Sequence, residues 1–241
     1  MGFIRYMKTY KELIGKHDGE ISFVLGAGTS LYDLYQNYNF QKIFNYVVIS
    51  INSSIMITNW KDVDNKGYWI SNDALCRRWS WWEEVEKSKC TKIVRDSWLK
   101  YKDELEDFLY FSPRPTSENI INTDDEGLCY CSSVASGIDL AIQMGCKKIF
   151  VCGLDHDIVS SYHHFWQLFD KDIQPRQIKP AQGSWEQQKS VFPIHLKSYK
   201  ALSEFAELKN TEIYNCSPLS KVNTFEKINI DYMWKIINEN K

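Results

Sequence analysis

Two short apolar runs constrain this chain more than anything else in it: ISFVL at 21–25 and YVVISI at 46–51. Both are continuous rather than alternating and rich in β-branched residues, the pattern of strands buried on both faces of a parallel sheet. GYWIS (67–71), TKIVR (91–95), KIFVC (148–152) and TEIYNC (211–216) read as further strands. Helices are expected between them. One is capped by Thr29 or Ser30 and runs through Leu31, Leu34 and Tyr35. A second opens at Ser133, continues through Ile138, Ala141, Ile142 and Met144, and stops at Gly145. A third covers about Leu196 to Leu208, with Leu202, Phe205 and Ala206 on one face. Strands alternating with helices predict crossover units and an α/β fold with a mainly parallel, Rossmann-like sheet flanked by helices. The 241 residues suit a single domain of this kind, spanning 1–241.

The alternation fails between Asp155 and Pro193. That stretch is polar and holds three of the six prolines, and four of the five histidines (His156, His163, His164, His195) fall at its ends. A lid-like insertion at about 156–193 is the expectation.

Composition narrows the function classes. With 29 basic and 31 acidic residues, nothing global marks a polyanion-binding protein. The N-terminal sequence carries no export-type apolar core, and no apolar run approaches the ~18 residues of a membrane helix. A cytoplasmic protein with reduced thiols is therefore expected. Cys129 and Cys131 form a C-x-C pair, but without a second pair this does not specify zinc. Aromatic residues reach 15%, and CRRWSWWEEVEKSKC (76–90) is open to two readings. Trp79, Trp82 and Val85 at helical spacing make a core stripe; Arg77 and Arg78 beside Trp79, Trp81 and Trp82 make a platform for a sugar or a base.

Ligands of α/β sheets bind beyond the carboxyl ends of the strands. The residues found there are Gly26-Ala27-Gly28-Thr29-Ser30, Asn52-Ser53-Ser54, Ser71-Asn72-Asp73, Ser132-Ser133 and Gly153-Leu154-Asp155-His156-Asp157. Small residues at a helix start let backbone N–H groups approach an anion, although the spacing of the first corner is not G-x-G-x-x-G. Taken singly, such residues are turn formers and caps. Five such corners on one sheet edge predict a nucleotide or nucleotide-sugar crevice, with Gly26, Gly28, Ser30, Asn52, Asn72, Asp73, Ser132, Ser133 and Gly153 as binding residues.

The string FVLGAGTSL…VISIN…YWISND…CSSVASGIDLAIQMGCKKIFVCGLDHD…SSYHHF resembles the bacterial sialyltransferases of glycosyltransferase family 42. It is also similar to a related group containing archaeal hydroxymethyldihydropterin pyrophosphokinases. The resemblance extends through nearly the whole chain in short motifs, best over 132–155, and implies a GT-A-variant Rossmann-like fold. It implies that Gly26, Gly28 and Ser30 form the phosphate-side turn, Asn52 and Asn72 meet the nucleotide, and Ser133 lies near the sugar. Tyr162 would assist the leaving phosphate, and His195 would be the general base. Two departures stand out. Ala27 replaces a family asparagine, and Asp157 replaces a phosphate-contacting tyrosine. An aspartate beside a diphosphate repels it unless a cation intervenes, so Asp155 and Asp157 become candidate Mg²⁺ ligands.

The leading expectation is a transferase moving a sugar from a CMP- or UDP-sugar to an acceptor hydroxyl, with His195, Tyr162 and Asp155 catalytic. The acceptor is a saccharide, a small heterocycle or a nucleic-acid base, and a homo-oligomer is compatible. One alternative is Mg²⁺-dependent pyrophosphoryl transfer from ATP to a small heterocyclic alcohol, with Asp73, Asp155 and Asp157 on the metal. The other is an inactive nucleotide-binding interaction module.

Overall fold

A computed structural model describes residues 8–58, 65–114, 127–156, 163–177 and 185–239, with the side chains of 185–189 left aside. Its centre is an eight-stranded sheet in the order β10-β9-β8-β1-β2-β3-β4-β5. The strands are β1 (Ile21–Leu25), β2 (Val47–Ile51), β3 (Gly67–Ser71), β4 (Thr91–Arg95), β5 (Leu109–Phe111), β8 (Lys148–Cys152), β9 (Glu212–Asn215) and β10 (Glu226–Lys227). Every pairing among them is parallel. A separate two-stranded ribbon joins β6 (Pro113–Arg114) to β7 (Leu128–Cys129).

Side-chain alternation along the inner strands sorts the core into two layers. Val24, Ile49, Ile51, Tyr68, Ile70, Ile93 and Val151 face one way, under α3 (Ser133–Gln143) and α4 (Trp185–Leu208). Phe23, Leu25, Val48, Trp69, Val94 and Phe150 face the other, under α1 (Leu31–Gln36), α2 (Trp82–Lys87) and α5 (Ile230–Glu239). Burial on both faces is why these strands read as unbroken apolar runs. Gly137 lets α3 lie close on the sheet: a Cβ there would stand 2.6 Å from Ile51 Cδ1 and 3.2 Å from Val24 Cγ1. Ser132 caps α3 by accepting the Ala135 N–H at 3.0 Å, and Gly145 ends it at φ +85°.

The six expected strands are present. The sequence reading missed β5, β10 and the β6–β7 ribbon, each only two or three residues long. It also started α4 too late: the helix begins at Trp185 and carries Pro193 inside it, so its first turns fall within the stretch expected to be lid-like.

A buried ion pair ties the ribbon to α3. Arg114 Nη2 lies 2.6 Å from both carboxylate oxygens of Asp139, which also accepts the Cys129 N–H at 2.6 Å and Gln143 Nε2 at 2.9 Å. The aromatic excess is mostly core. Trp69, Trp82, Trp98 and Phe108 meet edge to face or tilted, with centroids 5.8–6.4 Å apart.

Candidate functional site

Strand order reverses at the β1–β8 seam. After β1 the chain builds the sheet outward through β5; β8 then returns to the other side of β1 and the chain continues to β10. Open α/β sheets form their ligand crevice at the carboxyl side of such a point. Here the two corners are fastened to each other. Gly26 N–H donates to the Cys152 carbonyl at 2.7 Å and Gly28 N–H to that of Gly153 at 3.0 Å. A Cβ on Gly26 would lie 2.5 Å from the Gly153 oxygen, and one on Gly28 would lie 2.6 Å from Asp155 Oδ2. Gly153 itself sits at φ +78°.

Asp155 completes the joint. Its carboxylate accepts the Ser30 N–H at 2.8 Å, the Thr29 hydroxyl at 3.1 Å and the Ser30 hydroxyl, and Ser30 Oγ lies 2.5 Å from Ser217 Oγ. The anion at the start of α1 is thus the protein's own carboxylate, placed where backbone N–H groups and the helix dipole favour negative charge. The three glycines permit this close approach of backbone to backbone. Both oxygens of Asp155 are already engaged by protein donors, so it does not present an open ligand face to Mg²⁺. Asp157, its expected companion, lies outside the described residues. Among those residues no group of three or more His, Cys, Asp or Glu is arranged to hold a metal.

The β2 and β3 corners are tied in similarly. Ser54 Oγ accepts the Ile51 N–H and donates to the Leu25 carbonyl, each at 2.7 Å, which locks β2 to β1. Asn52 takes the left-handed conformation, φ 51°, and its carbonyl accepts the Trp69 indole N–H at 2.9 Å. Its side-chain oxygen is buried with no hydrogen-bond partner. Asn72 and Ser133 do meet: the Asn72 N–H donates to Ser133 Oγ at 3.0 Å. The Asn72 side chain is spent within the protein, donating to the Tyr130 carbonyl at 3.0 Å and accepting the Ser136 hydroxyl at 2.9 Å. Asp73 is exposed and caps the 3₁₀ turn Ala74–Arg78 through the Leu75 N–H at 2.8 Å.

The residue that organises the histidines was not anticipated. Tyr199, fully buried in α4, holds its hydroxyl 3.2 Å from Ser132 Oγ and 3.1 Å from His156 Nε2. The clue was its position three residues before Leu202, on the face already assigned to the core. His156 has φ 47°, with its ring centroid 4.9 Å from Phe192 and 5.3 Å from His195. Burial, and next the neighbouring His195, push its pKa down to about 4. Burial also lowers that of His195, against a hydrogen bond to the Cys131 backbone that raises it. The second ring nitrogen of His195, Nδ1, is buried and unpartnered. Both imidazoles are therefore neutral at pH 7. Tyr162, the third expected catalytic residue, lies outside the described residues.

Residues 163–177 of the expected lid are anchored to the body of the domain at a few points. Phe165 is fully buried and donates its N–H to the Ala27 carbonyl at 3.0 Å; the His164 ring stacks on Trp166 at 5.3 Å. Ser80 and Arg176 exchange two hydrogen bonds of 2.8 Å, and Trp79 packs on Trp166 with centroids 5.7 Å apart. Trp81 and Trp82 are buried, and Arg77 pairs with Glu104 over the Tyr101 ring. Of the 76–90 tryptophans, Trp81 and Trp82 are core and Trp79 packs half-buried against it.

No protein-family model matches this sequence, and neither does any curated protein. Among solved structures, the chain is similar to the sialyltransferase CST-II in complex with a trisaccharide acceptor and CMP: 14% identity, 86% of this chain on 85% of that one, TM-score 0.46. It is also similar to CstII from Campylobacter jejuni in complex with the substrate analogue CMP-3FNeuAc: 13% identity, 87% on 86%, TM-score 0.48. No helix among the described residues is long and apolar enough to cross a membrane.

Proposed function

We propose that this chain is a glycosyltransferase that moves a sugar from a CMP- or UDP-sugar to an acceptor hydroxyl, with His195 as general base. One observation carries the reading: His195 is a neutral, half-buried imidazole whose ring centroid lies 5.3 Å from that of His156, in the loop after β8, with one nitrogen held by the Cys131 backbone and the other unpartnered. A base for an acceptor hydroxyl needs that combination of fixed orientation, a free lone pair and no resting charge.

In this reaction His195 takes the hydroxyl proton as the acceptor oxygen bonds to the anomeric carbon. The bond from that carbon to the phosphate oxygen breaks, and the nucleotide leaves with the bonding pair. Asn52 is the proposed base reader, at the carboxyl end of β2 where the motif resemblance puts an asparagine on the nucleotide. Ser132 and Ser133 are proposed to border the sugar, Tyr162 to stabilise the departing phosphate, and the 156–193 stretch to exclude water. The motif resemblance to family 42 supports the same assignment. The engaged carboxylate of Asp155 does not suit the magnesium-bridged ATP of a pyrophosphokinase.

The test is release of free CMP or UDP from CMP- and UDP-sugars offered with a panel of saccharide acceptors, comparing wild type with His195→Gln. Turnover that falls at least a hundredfold in the variant while donor binding persists supports the reading. Folded protein that binds no nucleotide, or that transfers pyrophosphate from ATP, overturns it.

A further inference from the structure

The thiols of the C-x-C pair, Cys129 and Cys131, have no part in the reaction proposed above. Cys129 ends β7, and its backbone is fixed by the 2.6 Å bond from its N–H to Asp139. Side chains two residues apart on strand-like backbone share a face. The two sulfurs lie 3.8 Å apart, in contact, while Tyr130 between them is 41% exposed.

The two thiols differ in kind. Cys129 is sealed, and Cys131 is the one cysteine of the seven that is partly exposed. Cys131 stands immediately before Ser132, the cap of α3, where the helix dipole favours negative charge. Hydrogen bonding from Cys129, and less from Ser198 and Ser132, favours its thiolate and holds its pKa below the usual thiol range, against burial. Cys129 is pushed the other way, first by its bond to Cys131 and next by burial, and stays protonated. The remaining five, Cys76, Cys90, Cys146, Cys152 and Cys216, are all buried.

A partly open thiolate is the form of cysteine that peroxides oxidise, and a second thiol in contact converts the product to a disulfide. We infer that Cys131 is a modification site for hydroperoxides, hydrogen peroxide being the simplest, and that Cys129 resolves the product as a disulfide within the chain. The Cys131 thiolate attacks the terminal peroxide oxygen. The S–O bond forms, the O–O bond breaks, and the departing hydroxide or alkoxide takes up the proton that Cys131 lost on ionising. Cys129 then attacks the sulfur of the Cys131 sulfenic acid. The S–S bond forms, shortening the contact to about 2 Å, the S–O bond breaks, and hydroxide leaves with the Cys129 proton as water. Two thiols give up two electrons, and the peroxide takes them. The Cys131 backbone also holds His195, so the modification falls beside the proposed base. The thiol chemistry itself does not depend on that activity.

The test treats reduced, full-length protein with an excess of hydrogen peroxide, alkylates the remaining thiols in denaturant and weighs the tryptic peptides. The peptide carrying Cys129 and Cys131 should be lighter by about 2 Da, with both unalkylated and Cys146 alkylated, and dithiothreitol should reverse the change. In Cys129→Ala, dimedone should trap the sulfenic acid at Cys131. In Cys131→Ser, loss of thiol should slow about tenfold. No thiol loss in the wild type, a bond between other cysteines or between two chains, or oxidation of Cys131 straight to sulfinic acid overturns the proposal. The wild-type masses decide it even where a variant does not fold.

Discussion

Asp155 grips Ser30 twice, through its backbone N–H at 2.8 Å and through its hydroxyl, and thereby fastens β8 to the start of α1. These are charge-assisted bonds at a helix start, so Asp155→Ala should cost about 1–3 kcal/mol in urea unfolding. The same carboxylate acts on a neighbour. Burial and then the Asp155 charge hold Asp33 above the usual carboxylate range. Asp155→Asn should therefore bring the Asp33 pKa down, as followed by NMR titration; an unchanged Asp33 would show that burial alone sets it.

Two of the crowded glycines, Gly26 and Gly137, should respond differently to an added methyl. At Gly26 the new Cβ meets backbone, the Gly153 oxygen at 2.5 Å and its carbon at 3.0 Å. At Gly137 it meets the mobile end of Ile51 at 2.6 Å and a Val24 methyl at 3.2 Å. Gly26→Ala should lose about 1–3 kcal/mol and loosen the seam, whereas Gly137→Ala should lose less because a helix gains from alanine what the contact costs. Paired denaturation curves give the order directly.

Acid should weaken the fold through the histidine cluster. His156 titrates at about 4 when folded, against 6.5 for the free side chain. Between those values the unfolded chain takes up a proton that the folded one refuses, so stability is intact above about pH 6.5 and falls as pH drops toward 4. The loss is about 3 kcal/mol for this residue. His195, lowered in the same direction, adds to it. His156→Asn keeps a residue tolerant of the left-handed backbone and removes the titration, and should flatten the stability profile across that window. If His195 is the base, the acid limb of the activity profile should lie below the ordinary histidine value of about 6.5.

The Arg114–Asp139 pair is nearly sealed from solvent, with side chains 2% and 0% exposed. Removing one partner leaves a buried charge without its counter-ion. Asp139→Ala should therefore cost about 3–5 kcal/mol, more than any surface pair in the molecule. A loss near 1 kcal/mol would mean that water reaches the ribbon.

The inner strands were legible because a doubly covered parallel strand has nowhere to put a polar side chain, as in VVISI and GYWIS. Glu226–Lys227 was not, because an edge strand of two charged residues carries no such signal. The start of α4 was hidden by Pro193, which reads as a helix breaker although the helix runs through it. At the site, the corner residues were found by position, but their roles depended on neighbours far away in sequence. Nothing in GAGTS announces that its amides and hydroxyls answer to a carboxylate 125 residues later. Nothing in KSYKAL announces that Tyr199 links Ser132 to His156. Asn72 shows the converse, a plausible ligand whose amide is consumed in joining β3 to α3.

Of the seven thiols, six are buried and Cys131 alone is partly open. Hydrogen bonding from Cys129, then from Ser198 and Ser132, holds the Cys131 thiol below its usual range, whereas burial pushes Cys76, Cys90, Cys146 and Cys216 up. A maleimide dye added to the native protein would accordingly label one position, without removing any other cysteine. That position adjoins the backbone that holds His195. The chain thus carries a built-in attachment point for a fluorescent reporter, one contact away from the proposed base.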